Sequence, residues 1–265
     1  MRIWTVANQK GGVGKTTVVT SLAGLLAQRG RSVLVVDLDP HGSLTSYFGY
    51  DPEVVEPNLY ELFRHQGRGI DPEAMSVPTA VEGLHLLPAS TSLATLDRQL
   101  GSRKGMGLVI RRGLSTMAHR FDYTLLDCPP MLGVLMVNAL AACDQLIVPV
   151  QTEFLALKGL ERMVHTLEMI ERSRPRALPY TIVPTLYDRR TRAATRALED
   201  LQQRHGERVW PGAIPVDTQF REASRDGLPL TVMQPWCRGS LAFRKLLEHL
   251  TRAERERDNE VAGHV

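Results

Sequence analysis

Asn8-Gln9-Lys10-Gly11-Gly12-Val13-Gly14-Lys15-Thr16-Thr17 is the stretch on which the reading of this chain turns. Three glycines strip side chains from a tight loop, so that backbone N–H groups converge on phosphate oxygens. Lys15 adds a positive charge, and the Thr16 hydroxyl a ligand for Mg²⁺. Gly11, Gly12, Val13, Gly14, Lys15, Thr16 and Thr17 are therefore the expected phosphate contacts. The general pattern G-x-x-x-x-G-K-[ST] requires glycine at position 9, where this chain has Gln9, and a second lysine, Lys10, heads the loop instead.

The flanks supply the context such a loop needs. Arg2 to Ala7 carries Ile3, Trp4 and Val6 without glycine or proline and reads as a strand. Beyond the loop, Val18, Val19, Leu22, Leu25 and Leu26 recur at helical spacing, and Gly30 stands where a helix ends. A helix starting near Gly14 points the positive end of its dipole at the phosphates.

Strands and helices then alternate. Ser32–Val36 ends at Asp37 and Tyr123–Leu126 ends at Asp127; Gln145–Val150 and Tyr180–Val183 follow. Such short runs, apolar on both faces, read as buried parallel strands. Leu157, Leu160, Met163, Val164, Leu167 and Ile170 mark one intervening helix. The expectation is an α/β fold: a doubly wound, mostly parallel sheet with helices on both faces and its ligand at the C-terminal strand ends. One domain is expected over residues 1–250, with a charged, flexible tail over 251–265. Residues 51–105 are rich in turn formers and yield no clear assignment.

Asp37 and Asp39 alternate just as a buried strand ends, a costly place for carboxylates unless a cation awaits them. Leu125-Leu126-Asp127-Cys128-Pro129-Pro130 is an apolar strand ending in one carboxylate, the form in which Asp127 holds Mg²⁺ through water. Taken singly, each aspartate also reads as a cap at a strand end. Together with the loop, in this order, they read as a site for Mg²⁺ and a nucleoside triphosphate.

The form K-G-G-x-G-K-[ST]-T resembles the ParA/MinD superfamily of ATPases. Val35–Gly42 is similar to its D-x-D-P-Q-G element, with His41 in place of glutamine. Asp127–Gly133 is similar to its D-C-P-P-x-L-G switch, and the likeness continues through Val148–Leu160. The resemblance implies ATP and Mg²⁺ as cofactors, with Thr16, Asp37 and Asp127 on the metal side. It implies that Asp39 orients the hydrolytic water, and that Lys10 crosses the interface of an ATP-dependent homodimer to the partner's nucleotide. Lys10, Lys15 and Asp39 are accordingly the catalytic set, with slow turnover that a partner accelerates. The adenine pocket is expected near Ile214-Pro215-Val216-Asp217, where Asp217 replaces the family's asparagine, with Pro215 and Thr185 at its wall.

Composition agrees with an intracellular switch. Cys128, Cys143 and Cys237 are odd in number and far apart, which argues against a disulfide framework or a paired-cysteine metal site. With the first strand read from residue 2 no leader is expected, and no apolar run approaches the roughly 18 residues of a membrane span. A cytoplasmic location is expected, on the nucleoid or at a cell pole. Residues 1–150 balance 13 basic against 13 acidic residues, so the net charge of +3 arises later in the chain. Residues 189–225 hold eight arginines and five acids. Arg189, Arg192 and Arg196 are spaced for a basic helix stripe, and the resemblance places Arg190 at a position used for sequence-independent DNA binding. Gln219 stands where a second arginine is usual, with Arg221 and Arg225 as substitutes; the bland reading of the same residues is a solvated face. Phe243, Leu246, Leu247 and Leu250 form an apolar stripe that ends before the mixed-charge tail, unlike the amphipathic anchor of MinD-like relatives, so direct membrane binding is not expected.

The resemblance implies an ATP-driven positioning protein whose hydrolysis is triggered by an adaptor, ParB-like or ParP-like, with a polar receptor as a further partner. Trp4, Asp39–Thr45 and Tyr47–Tyr50 look similar to the ParC subgroup that places chemotaxis arrays at cell poles; plasmid or chromosome DNA is the other cargo. Two alternatives are a flagellar-number regulator that binds a transcription factor, and a metabolic or metal-carrier enzyme on the same fold.

Overall fold

A computed structural model describes residues 1–69, 71, 74–96, 106–172 and 177–262. Parts of the unassigned 51–105 region, and residues 263–265 of the expected tail, lie outside the described residues.

The described strands are β1 (Arg2–Val6), β2 (Val33–Asp37), β3 (Val77–Pro78), β4 (Leu84–Leu87), β5 (Tyr123–Asp127), β6 (Gln145–Gln151) and β7 (Tyr180–Thr185). They form one sheet in the order β3-β4-β2-β5-β1-β6-β7, parallel except for β3 against β4. β1 lies between β5 and β6, where the chain order reverses. In open sheets of this kind that switch point, at the C-terminal strand ends, is where ligands bind.

Ten helices accompany the strands among the described residues: α1 (Lys15–Gln28), α2 (Ser43–Tyr47), α3 (Leu59–Arg64), α4 (Val109–Thr116), α5 (Val134–Ala142), α6 (Phe154–Glu171), α7 (Arg192–His205), α8 (Gln219–Asp226), α9 (Leu230–Met233) and α10 (Arg238–Ala262). Alternation along each strand sends neighbouring side chains to opposite faces. Trp4, Val6, Val33, Val35 and Leu125 pack with Val18, Leu22, Leu26 of α1 and Phe243, Leu246, Leu247, Leu250 of α10. Ile3, Leu34, Val36, Leu126 and Val148 pack with α3–α6 on the other face. The helical spacing at Leu157, Leu160, Met163 and Leu167 is the buried side of α6. Two layers of helices thus enclose the sheet.

The strand boundaries differ from the sequence reading by a residue or two, while β3 and β4 arise within the region that gave no assignment. The tail expectation is corrected. The apolar stripe does end at Leu250, but α10 continues to Ala262 because its polar residues find partners on the sheet. Trp4 Nε1 donates to Glu254 at 3.3 Å and the Tyr123 hydroxyl donates to the same carboxylate at 3.0 Å. Arg257 donates to Gln145 Oε1 at 2.6 Å, and Arg2 pairs with Asp258. No described helix is long and apolar enough to cross a membrane.

Candidate functional site

The loop leaves β1 and turns into α1 through Gly12 at φ +73° and Gly14 at φ +88°, backbone conformations that other residues rarely adopt. A Cβ at Gly11 or Gly12 meets nothing within 4 Å, so the loop is open on the side a phosphate approaches. No side chain caps the N-terminus of α1, which leaves its first N–H groups for a ligand. Asn8 anchors the loop's start: its Nδ2 donates to the Pro149 carbonyl at 2.7 Å, and its Oδ1 accepts from Lys10 N at 3.1 Å.

Beside the loop, β2 and β5 run in register so that Asp37 and Asp127 are adjacent at their ends. Both are buried, and burial pushes both carboxyls up, Asp127 further because the charge of Asp37 adds to it. Asp37 takes three hydrogen bonds from the neighbouring turn. Its Oδ2 accepts from Thr45 N and Thr45 Oγ1, each at 2.8 Å, and its Oδ1 from Asp39 N at 3.1 Å. Asp127 differs. Its Oδ2 accepts from the Thr16 hydroxyl at 2.6 Å, while Oδ1 is buried without a hydrogen-bond partner. An orphaned carboxylate oxygen next to a threonine hydroxyl at the mouth of a phosphate loop suits a divalent cation. Thr16 and Asp127 would hold such a cation; among the described residues no cluster of three or more His, Cys, Asp or Glu is found.

Lys15, at the start of α1, is buried, its Nζ 3.5 Å from the Lys10 carbonyl oxygen; its charge opposes the rise at Asp127. Lys10 turns the other way and pairs with Glu153, the residue before α6. Sequence reasoning passed over Glu153, which is 143 positions distant and belongs to no phosphate motif.

On the far side of the loop, Gly12, Val13, Gly14 and Thr17 meet Thr185, Ile214, Pro215, Asp217 and Phe220 around a cavity of about 240 Å³. The expected base-binding segment is therefore brought against the loop. Two details were not foreseen. The Thr185 hydroxyl donates to the Val13 carbonyl at 2.9 Å, so this wall residue of the cavity also braces the loop. Arg221, read from sequence as a DNA contact, lines this cavity. Asp217 accepts from Gln219 N at 3.1 Å, which sets the start of α8.

The arginine stripe is corrected as well. α7 begins at Arg192, held there by Thr191, whose side chain accepts from Ala194 N at 3.3 Å. Arg189 thus precedes the helix, and only Arg192 and Arg196 share its exposed face, opposite buried Ala194, Ala197 and Leu201. Arg190 is exposed and pairs with Asp188 at 2.7 Å; Arg225 is exposed on α8. The three cysteines form no disulfide.

The AAA domain family matches residues 1–179. The chromosome partitioning protein ParA of Caulobacter vibrioides is 34% identical over 265 residues, covering 99% of this chain and 98% of its own. The sporulation initiation inhibitor protein Soj of Bacillus subtilis is 32% identical over 250 residues, covering 94% and 98%. Among solved structures, the cobyrinic acid a,c-diamide synthase of Mycobacterium smegmatis, with bound ATP analogue and magnesium, superposes with a TM-score of 0.83 at 35% identity, covering 96% of each chain.

Proposed function

This chain belongs to the ParA/MinD superfamily of ATPases, and from that premise we propose that it is a Mg²⁺-dependent ATPase whose ATP-bound dimer positions or segregates intracellular cargo. The observation that carries the nucleotide reading is the buried, partnerless Oδ1 of Asp127 beside the Thr16 hydroxyl and the glycine loop. Thr16 and Asp127 hold the cation, with Asp37 fixing the turn next to it. Mg²⁺, when bound, neutralises charge on the β- and γ-phosphates.

The chain's own residues then divide the work. Backbone N–H groups of Gly11 to Thr17 cradle the phosphates, with Lys15 as the local charge. Pro215 and Asp217 flank the base; an ionised aspartate there accepts a hydrogen bond from the adenine amino group. Asp39 orients water toward the γ-phosphorus. Lys10 leaves Glu153 and enters the partner's site, where its charge stabilises the transition state. Met131 and Leu132 after Asp127, and Phe154 and Leu155 after Glu153, are exposed apolar residues that suit a dimer face around this lysine. Arg189, Arg190, Arg192, Arg196 and Arg225 supply a surface for nonspecific DNA, and an adaptor accelerates hydrolysis. A polar chemotaxis array or a DNA molecule is the cargo.

Hydrolysis measured against protein concentration at saturating Mg·ATP tests this. Specific activity rises as dimer forms, and Lys10→Ala removes the rise while ATP still binds. A specific activity that stays constant down to dilutions without dimer overturns the trans-lysine mechanism. The metabolic alternative, on the fold shared with the Mycobacterium smegmatis synthase, predicts ATP use that depends strictly on a small-molecule acceptor.

A further inference from the structure

Asp39 lies in the tight turn that follows β2, closed by Gly42 N donating to the Asp39 carbonyl at 2.8 Å, with Gly42 at φ +64°. Two donors from one residue converge on a single oxygen of its carboxylate. The His41 backbone N–H reaches Asp39 Oδ1 at 3.0 Å, and the His41 ring Nδ1 reaches the same atom at 2.8 Å. A carboxylate only accepts, so Nδ1 carries the proton in this contact. Asp39 Oδ2 takes no hydrogen bond among the described residues. The Asp39 side chain is 15% exposed, whereas the His41 side chain is 82% exposed. Asp39 N donates to Asp37 Oδ1 at 3.1 Å, and Asp37 is paired in register with Asp127, so Asp39 lies at the same strand ends as the cation side of the site.

We propose that His41 is a positioning residue: its ring N–H fixes Asp39 Oδ1 and so turns the unbonded Oδ2 toward the attacking water. The proposal rests on the reading of Asp39 as the residue that orients that water. An aspartate in a turn has two free torsions, and one backbone N–H leaves the carboxylate plane free to rotate about that bond. A second donor on the same oxygen, rigidly placed two bonds from Cβ, removes this rotation. Orientation errors of this kind act on the rate of the chemical step and not on substrate affinity. The chain from Asp37 Oδ1 to Asp39 N, and from Asp39 Oδ1 to His41, also ties the water-orienting group to the turn that Asp37 holds.

The exposure of the ring makes the test clean, since its removal opens no cavity. His41→Ala lowers the single-turnover rate of ATP hydrolysis on the order of 10-fold, with ATP affinity and melting temperature unchanged. His41→Asn places an amide N–H at the same distance from Cβ as Nδ1 and restores most of the rate. A parental rate for His41→Ala beside an inactive Asp39→Ala overturns the role of His41 and leaves Asp39 in place. A parental rate for Asp39→Ala overturns the reading beneath it. A failure of asparagine to rescue assigns the histidine elsewhere and also overturns the proposal.

Discussion

Lys10, the lysine that sets this phosphate loop apart, is paired with Glu153 of its own chain. The pair joins the loop after β1 to the start of α6, and the two side chains are 30% and 42% exposed. A lysine so held is not available to a second subunit, so in the proposed dimer, where Lys10 enters the partner's site, the pair has to break. Half-exposed pairs of this kind contribute about 0.5–1 kcal/mol, a factor of about 2–5 in an equilibrium. Glu153→Gln therefore moves the midpoint of the activity-versus-concentration curve to lower protein concentration by about that factor. A midpoint that moves upward makes Glu153 a dimer contact in its own right.

The link between Thr16 and Asp127 predicts a separable metal phenotype. Thr16→Ala raises the Mg²⁺ concentration needed for half-maximal hydrolysis on the order of 10-fold, while binding of ATP without metal changes little. Lys15→Ala abolishes ATP binding with or without Mg²⁺. Titrations with a fluorescent ATP analogue, with and without Mg²⁺, distinguish the two.

The buried carboxyls Asp37 and Asp127 make the nucleotide-free protein sensitive to pH. Burial raises Asp37 to about 6 and Asp127 to about 8, from 3.8. Between those limits the folded state holds more protons than the unfolded state, so this pair's contribution to stability falls as pH rises. Asp127→Asn removes one of the two titrating groups, so its melting temperature exceeds that of the parent by a margin that widens from pH 5 to pH 8. A margin that is constant or narrows with pH contradicts the assignment. Mg·ATP, by supplying a cation to Asp127, narrows it.

Much of this was legible in the sequence because it is locally encoded. Glycines at 12 and 14 are needed where φ is positive, and β2 and β5 are recognisable since strands buried on both faces are apolar throughout. Their carboxylates at 37 and 127 stand out against that run. The missing parts are contacts between distant positions. Glu153 is an ordinary acidic residue until Lys10 is placed beside it. Thr185 looks like a polar strand end until its hydroxyl reaches Val13. β4 pairs with β2 through Leu84–Leu87, a segment as short as many loops. α10 outlasts its apolar stripe because strands β1, β5 and β6 supply partners for Glu254, Arg257 and Asp258.

Asp188 and Arg190 test the proposed DNA surface. Arg190 is held by the neighbouring carboxylate, which competes with a phosphate for the same guanidinium. Asp188→Asn accordingly strengthens binding to random duplex DNA in the presence of ATP, and Arg190→Ala weakens it. Removing one phosphate-binding side chain reduces the slope of log K against log salt by about 0.9, so the Arg190→Ala slope is shallower by that amount. Identical slopes for parent and Arg190→Ala remove this residue from the interface and leave Arg192 and Arg196 as the exposed helical pair.

Glu254 tests whether the last turns of α10 belong to the folded body. Its carboxylate is buried, takes the indole N–H of Trp4 and the hydroxyl of Tyr123, and lies 3.6 Å from Arg2. Glu254→Ala leaves the fully buried Trp4 without its acceptor, at a cost of about 1–3 kcal/mol. Glu254→Gln keeps one carbonyl oxygen as acceptor and loses only part of this. Because Glu254 sits at the end of the sheet opposite the phosphate loop, ATP affinity stays at the parental value in both variants. Urea denaturation followed by tryptophan fluorescence measures the destabilisation, and a deletion after Leu250 exceeds it by also removing the Arg257–Gln145 and Arg2–Asp258 links. A deletion as stable as the parent returns residues 251–262 to the status of a solvated tail.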